Sequence, residues 1–113
     1  MSKPKTGKAA LVAAHAYMKE HGHCKYELSD GHGRVCVRGA INAAVTGDPR
    51  TFGSVRSLAA AATQRVAEKR LMKAIGLDYD GWGGVAPLFA WNNDQKRTKR
   101  QVLGAFRKAI KLR

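Results

Sequence analysis

The sequence predicts a mainly α-helical protein: one compact domain of about four helices, with a possible small β-hairpin after the first. Three observations support this fold class. Apolar residues recur at helical spacing in four stretches, whereas strand-like segments are limited to two short arms. Glycines at positions 22, 47 and 76 stand just after helical stretches, where they commonly end helices. A length of 113 residues, with 44% hydrophobic content, suits one small domain.

The N-terminal part divides into a tail, a helix and a connection. Residues 1–7 are expected to form a flexible basic tail, because Pro4 and Gly7 oppose helix formation and no apolar anchor is present. Residues 8–113 are expected to form the helical domain, which starts with a stripe of Leu11, Ala14 and Met18. Turn residues at 30, 31 and 33 then separate two short arms, which predicts either a hairpin or an irregular loop.

Two further helices are predicted in the middle of the chain. The second is indicated by apolar positions at helical spacing, namely Val37, Ala40, Ile41, Ala44 and Val45. Asp48 and Pro49 suit the start of a new helix. The third helix is expected over residues 54–75, with one stripe of Val55, Leu58, Ala59, Ala62 and Val66 and an opposite one of Leu71 and Ile75. We therefore predict a central helix that is buried on two sides.

Residues 77–97 form the least regular region, although they contain several bulky side chains. Two interpretations remain open for its aromatic residues Trp82, Phe89 and Trp91. They can fill a core that is otherwise rich in alanine. Alternatively, the loop 79–91 exposes them as the surface through which an adaptor or inhibitor binds a host protein.

The last helix has the clearest signals. Thr98 and Gln101 form a capping box, and an apolar stripe of Val102, Leu103, Phe106, Ala109 and Ile110 follows. The opposite face and the preceding turn are basic, and residues 95–113 contain no acidic residue. The candidate nucleic-acid-binding residues are Lys96, Arg97, Lys99, Arg100, Arg107, Lys108 and Lys111.

The charge balance indicates the class of partner. The chain has 21 Lys and Arg against 8 Asp and Glu, a formal net charge of +13, which attracts polyanions. We expect nonspecific binding of nucleic acid, DNA rather than RNA, through phosphate contacts. No stretch of the sequence approaches the roughly eighteen apolar residues of a membrane span, and no signal-peptide pattern is visible, so a cytoplasmic location is expected.

A cluster of histidine and cysteine residues raises the question of a metal site. His21, Cys24, His32 and Cys36 are candidate zinc ligands, but their spacing does not match two close ligand pairs. We therefore expect buried thiols, with no metal and no other cofactor. No motif of a nucleotide-binding loop, zinc protease or dinucleotide site is present, and no catalytic residues are predicted, so we expect a protein that is not an enzyme.

Short motifs are spread along residues 8–110, at Cys24, Asp30, Gly33, Cys36, Gly39, Ala40, Ile41, Trp91, Asn92, Arg97 and Thr98. Together they resemble the pattern of a family of small actinobacterial and actinobacteriophage domains of unknown function. This chain departs from the pattern at Asn93, where the pattern has Asp, and in its more basic last helix. The resemblance implies a compact helical module in a bacterial or phage-infected cytoplasm, and it carries over no catalytic residue.

Overall fold

A computed structural model describes residues 4–50, 58–79 and 84–112. Five α-helices lie in these ranges: α1 (Gly7–His21), α2 (Val37–Thr46), α3 (Leu58–Ala74), α4 (Ala86–Asn93) and α5 (Lys99–Lys111). Helix α1 packs against α2, α3 and α5, α3 also packs against α2 and α5, and the short α4 packs on α2. The mainly α-helical class is confirmed, although the described residues contain one helix more than predicted.

Helix α1 starts inside the segment that was expected to be a tail. The Thr6 hydroxyl accepts a hydrogen bond from the Ala9 amide at 3.0 Å and so caps the helix. Gly7 is buried, and a Cβ built there would lie 2.6 Å from Cγ1 of Val66. The first turn of α1 therefore packs closely on α3; residues 1–3 lie outside the described residues.

Of the two predicted forms of the segment after α1, the structure has the irregular loop and not the hairpin. The connector, residues 22–36, contains only two isolated β-bridges, which join Val35 to His23 and to Ser29. Its turn is closed by the Asp30 carboxylate, which accepts hydrogen bonds from the backbone amides of His32 and Arg34. The arms are too short to build a ladder of paired strands, so side chains supply much of the connector's hydrogen bonding.

The apolar stripe predicted for the first half of α3 is also wrong. Leu58 is 91% exposed and Val66 is 54% exposed, while position 55 lies outside the described residues. The residues that α3 does bury are Gln64, Ala67, Glu68, Leu71, Met72 and Ala74. The buried face is thus partly polar, which a search for apolar spacing cannot detect.

Polar side chains of α2 explain this partly polar face of α3. Nε of Arg38 lies 3.3 Å from Oε2 of Glu68, and Gln64 donates a hydrogen bond to Oδ1 of Asn42. Burial raises the pKa of Glu68, and the positive charge of Arg38 opposes that rise. Helices α2 and α3 therefore meet through two polar pairs as well as through apolar side chains.

Two predicted helix boundaries are confirmed, in contrast to the predicted buried face of α3. Gly47 adopts a left-handed conformation and ends α2, as expected. Thr98 and Gln101 form both hydrogen bonds of the predicted capping box of α5. Asp48 and Pro49, by contrast, lie in a turn, and residues 51–57 lie outside the described residues.

The apolar core lies between α1, α2, α3 and α5 and is rich in alanine, as the composition suggests. Phe106, Leu11, Met18, Ile41, Leu71 and Met72 are the largest of its fully buried apolar side chains. Within the described ranges, no helix combines the length and hydropathy that crossing a membrane requires.

Candidate nucleic-acid interface

Helix α5 separates its apolar and basic residues onto different faces. Val102, Ala105, Phe106 and Ala109 are buried, whereas Arg100, Arg107 and Lys111 are exposed. Because these three basic residues are spaced by seven and then four positions, they form a single line along the helix, which we call the basic stripe. No acidic side chain of the described residues forms an ion pair with the stripe.

Helix α1 places further basic residues beside the stripe. Nζ of Lys99 donates a hydrogen bond to the carbonyl of Lys19 at 3.2 Å, so the end of α1 lies beside the start of α5. Burial lowers the pKa of His15 in α1, and the nearby positive charges of Arg107 and Lys19 lower it further. Lys8 is on the same exposed side of α1 by helical spacing.

These residues form one surface, the two-helix basic face, composed of Lys8, Lys19, Lys99, Arg100, Arg107 and Lys111. Lys19 was not among the residues predicted from the sequence, although the regular spacing of positions 8, 12, 15 and 19 is visible there. What the sequence does not show is that this side of α1 lies next to the basic side of α5.

Arg97 differs from the other candidate nucleic-acid-binding residues because its side chain contacts α4. Its guanidinium carbon lies 4.1 Å from the centroid of the Trp91 ring, and its Nε donates a hydrogen bond to the Trp91 carbonyl at 2.9 Å. Arg97 therefore joins α4 to the start of α5. Lys96 and Lys108 are exposed, and Lys96 lies in the turn between α4 and α5.

The aromatic residues of the alternative interface lie mainly on a helix and not in a loop. Phe89 and Trp91 belong to α4 and are half-buried, and the guanidinium of Arg38 lies 5.7 Å from the centroid of the Phe89 ring. Trp82 lies outside the described residues. Binding to a host protein through this region stays a prediction.

The two cysteines make structural contacts within and beside the connector. Sγ of Cys24 donates to the carbonyls of Glu27 and Arg34, both at 3.4 Å, and Sγ of Cys36 accepts from the Gly39 amide at 3.3 Å. Burial raises the pKa of Cys24 to about 11, and burial also raises the pKa of Cys36. Both groups thus favour the thiol over the thiolate that binds metals.

The two histidines among the zinc candidates are exposed. His21 packs its ring against Tyr17 at a centroid distance of 4.2 Å, and the backbone amide of His32 donates to Asp30. Over residues 4–50, 58–79 and 84–112, no three His, Cys, Asp or Glu residues come together in a group that could hold a metal ion.

Asn92 of α4 holds the connector in place. Its Oδ1 lies 2.8 Å from Nε2 of His23 and accepts a hydrogen bond from the Val37 amide at 3.0 Å. Its Nδ2 donates to the Cys24 carbonyl at 3.2 Å and to Oδ1 of Asn93 at 3.0 Å. Because Asn92 is fully buried, its side chain supplies hydrogen bonds to polar groups near both ends of the connector that water cannot reach.

Asn93 holds a neighbouring part of the connector. Its Oδ1 accepts a hydrogen bond from the Tyr26 amide at 2.8 Å, and its carbonyl accepts one from the Tyr26 hydroxyl at 3.4 Å. Tyr26 has a φ of 68°, the one positive value among the described non-glycine residues. Asn93 thereby fixes an uncommon backbone conformation and the position of an exposed aromatic ring.

Gly39 allows the connector to approach α2. A Cβ at this position would lie 1.9 Å from the carbonyl oxygen of Leu28, and that oxygen accepts a hydrogen bond from the Cys36 amide. Gly39, which is one of the positions that match the family pattern, is therefore a point of close contact between two backbone segments.

Together these features define a small, basic, mainly helical protein, with five helices among its described residues and a connector that two adjacent asparagines hold in place. The chain belongs to the family of unknown function DUF6197, whose model matches residues 2–112. The resemblance to a small domain family of unknown function is thus confirmed, while its actinobacterial and phage setting stays a prediction. Comparison with curated proteins and with solved structures gave no match.

Proposed function

We propose that this protein is a non-enzymatic, cytoplasmic protein of bacterial or phage origin that binds nucleic acid, DNA in preference to RNA, without sequence specificity. The observation that supports this proposal is the basic stripe, in which Arg100, Arg107 and Lys111 are exposed and form no ion pair with the acidic residues described. Their charges are therefore available to an external polyanion.

The physical mechanism is phosphate neutralisation with release of counterions. A rise of about 1.5 Å per residue separates Arg100 from Lys111 by about 16 Å along the axis of α5. Double-stranded DNA carries about one negative charge per 1.7 Å of its axis, so several phosphates lie within that length. Contacts of this kind give affinity that falls steeply with salt and carries no sequence information.

The test measures how the affinity for a short DNA duplex depends on salt, by fluorescence anisotropy. The variant Arg100→Gln/Arg107→Gln/Lys111→Gln removes three candidate phosphate contacts. Since each contact contributes about 0.9 to the slope of log K against log salt, we expect the slope to become shallower by about 2.7.

A matched control removes the same charge from another helix. The variant Arg65→Gln/Lys69→Gln/Lys73→Gln neutralises the exposed face of α3. We expect it to retain the slope of the wild type. Equal slopes for all three proteins, or no binding of the wild type at low salt, would contradict the proposal.

A further inference from the structure

A cavity beside Tyr26 points to the form of nucleic acid that the protein binds. We infer that this cavity accepts one unpaired nucleobase of a single strand, whose phosphates then continue onto the two-helix basic face. This inference rests on the proposed function, because it assigns a ligand class to a site adjoining the same surface.

The cavity has the size and lining of a site for a small planar group. It has a volume of about 350 Å³ and is lined by Tyr26, Glu27, Leu28, Cys36, Phe89 and Asn93. Small-molecule sites commonly occupy about 300–1,000 Å³ and combine apolar walls with a few polar groups. Here Leu28, Cys36 and Phe89 supply apolar surface, while Glu27 and Asn93 supply the polar groups.

Tyr26 is an exposed aromatic ring that is already held in position. The residue is 74% exposed, although two hydrogen bonds to Asn93 and a φ of 68° restrain it. Uncommon backbone conformations of this kind persist where neighbouring groups enforce them, and they cluster at functional sites. An exposed ring at the mouth of a cavity can stack on a base without first being ordered, and base stacking tolerates different sequences.

The polar groups of the cavity match the edge of a base. Oδ1 of Asn93 accepts from Tyr26 and Asn92, whereas its Nδ2 has no hydrogen-bond partner among the described residues and is available to a base carbonyl. The Glu27 carboxylate is suited to accept from an exocyclic amino group. A base that is paired and stacked within a duplex cannot present this edge to a cavity, which favours a single strand.

Lysines connect the cavity with the basic face. Lys25 precedes Tyr26, and its Nζ donates to the carbonyl of Gln95 at 3.1 Å, so its charge lies beside the turn that carries Lys96. A second concavity shares Asn93 with the first and is lined by Ala90, Asn93, Asp94, Gln95 and Lys96. Lys99 in turn contacts the carbonyl of Lys19, so cations continue past the carboxylate of Asp94 to α1 and α5.

The experiment compares three ligands at fixed salt: a single-stranded DNA oligonucleotide, an abasic strand of equal length and charge, and a duplex. Wild-type protein is expected to bind the normal strand about tenfold more tightly than the abasic strand, which corresponds to the loss of one stacked base. Tyr26→Ala is expected to abolish that difference, and Tyr26→Phe, which retains the ring, to preserve it. Neither change is expected to alter duplex affinity, since both preserve the charge.

Two results separate the failure of this inference from that of the proposed function. Salt-dependent duplex binding together with equal affinity for normal and abasic strands would overturn the nucleobase site alone. Absence of binding to any of the three ligands at low salt would overturn both. The comparison of normal with abasic strands uses only the wild-type protein, so it holds whatever the stability of the variants.

Discussion

Replacing Asn92 with alanine tests whether its side chain holds the connector. The change removes four hydrogen bonds, and it leaves the Val37 amide and the Cys24 carbonyl without the partner that Asn92 supplied. Each buried polar group left unsatisfied costs about 1–3 kcal/mol. With two such groups, we expect Asn92→Ala to lower the free energy of unfolding by about 2–6 kcal/mol, a large part of a typical domain stability of about 5–15 kcal/mol.

Urea denaturation followed by circular dichroism measures this loss. Gln95→Ala serves as the control, because it also removes an amide side chain but from an exposed position whose side chain forms no hydrogen bond among the described residues. We expect the control to change stability by no more than about 0.5 kcal/mol. A loss below about 1 kcal/mol for Asn92→Ala would refute the role assigned to this side chain.

Two further predictions concern the connector. Gly39→Ala is expected to lower the free energy of unfolding by about 3 kcal/mol, because its Cβ would lie 1.9 Å from the Leu28 carbonyl oxygen. Gly31→Ala is the control, since a Cβ there would have no atom within 4 Å, and it should not destabilise the protein. Equal effects of the two changes in urea denaturation would contradict the close contact. Burial lowers the pKa of His23 despite its hydrogen bond to Asn92, so its contribution to stability is full above the unfolded pKa of about 6.5 and is lost as pH falls below it. The stability difference between pH 7.5 and 5 should shrink in His23→Gln, and an unchanged difference in this variant would count against the assignment.

The sequence predicted those elements that depend on contacts between residues close together along the chain. The capping box of Thr98 and Gln101 and the glycine that ends α2 work through contacts a few positions apart, so the sequence alone locates them. The apolar stripe of α5 was predicted for the same reason. Helix α4 was not predicted, because glycines at positions 81, 83 and 84 precede its short stretch of eight residues, which ends in two asparagines.

The buried face of α3 and the connector could not be predicted in this way. Gln64 and Glu68 are buried because α2 presents Asn42 and Arg38 opposite them, and those partners are more than twenty positions distant. Likewise, Asn92 contacts residues 55 to 69 positions away. Composition and spacing describe one segment at a time, so pairs of polar residues that satisfy each other across the fold remain invisible to them.

The same distinction applies to the candidate interface. Composition alone establishes the net charge of +13, and helical spacing places a line of cations on the last helix. Only the tertiary structure decides which cations are available, because it places Arg38 against Glu68, Arg97 over Trp91 and the side chain of Arg70 on the final carbonyls of α5. A charge is a property of the residue, but its availability to a ligand depends on the neighbours that folding brings beside it.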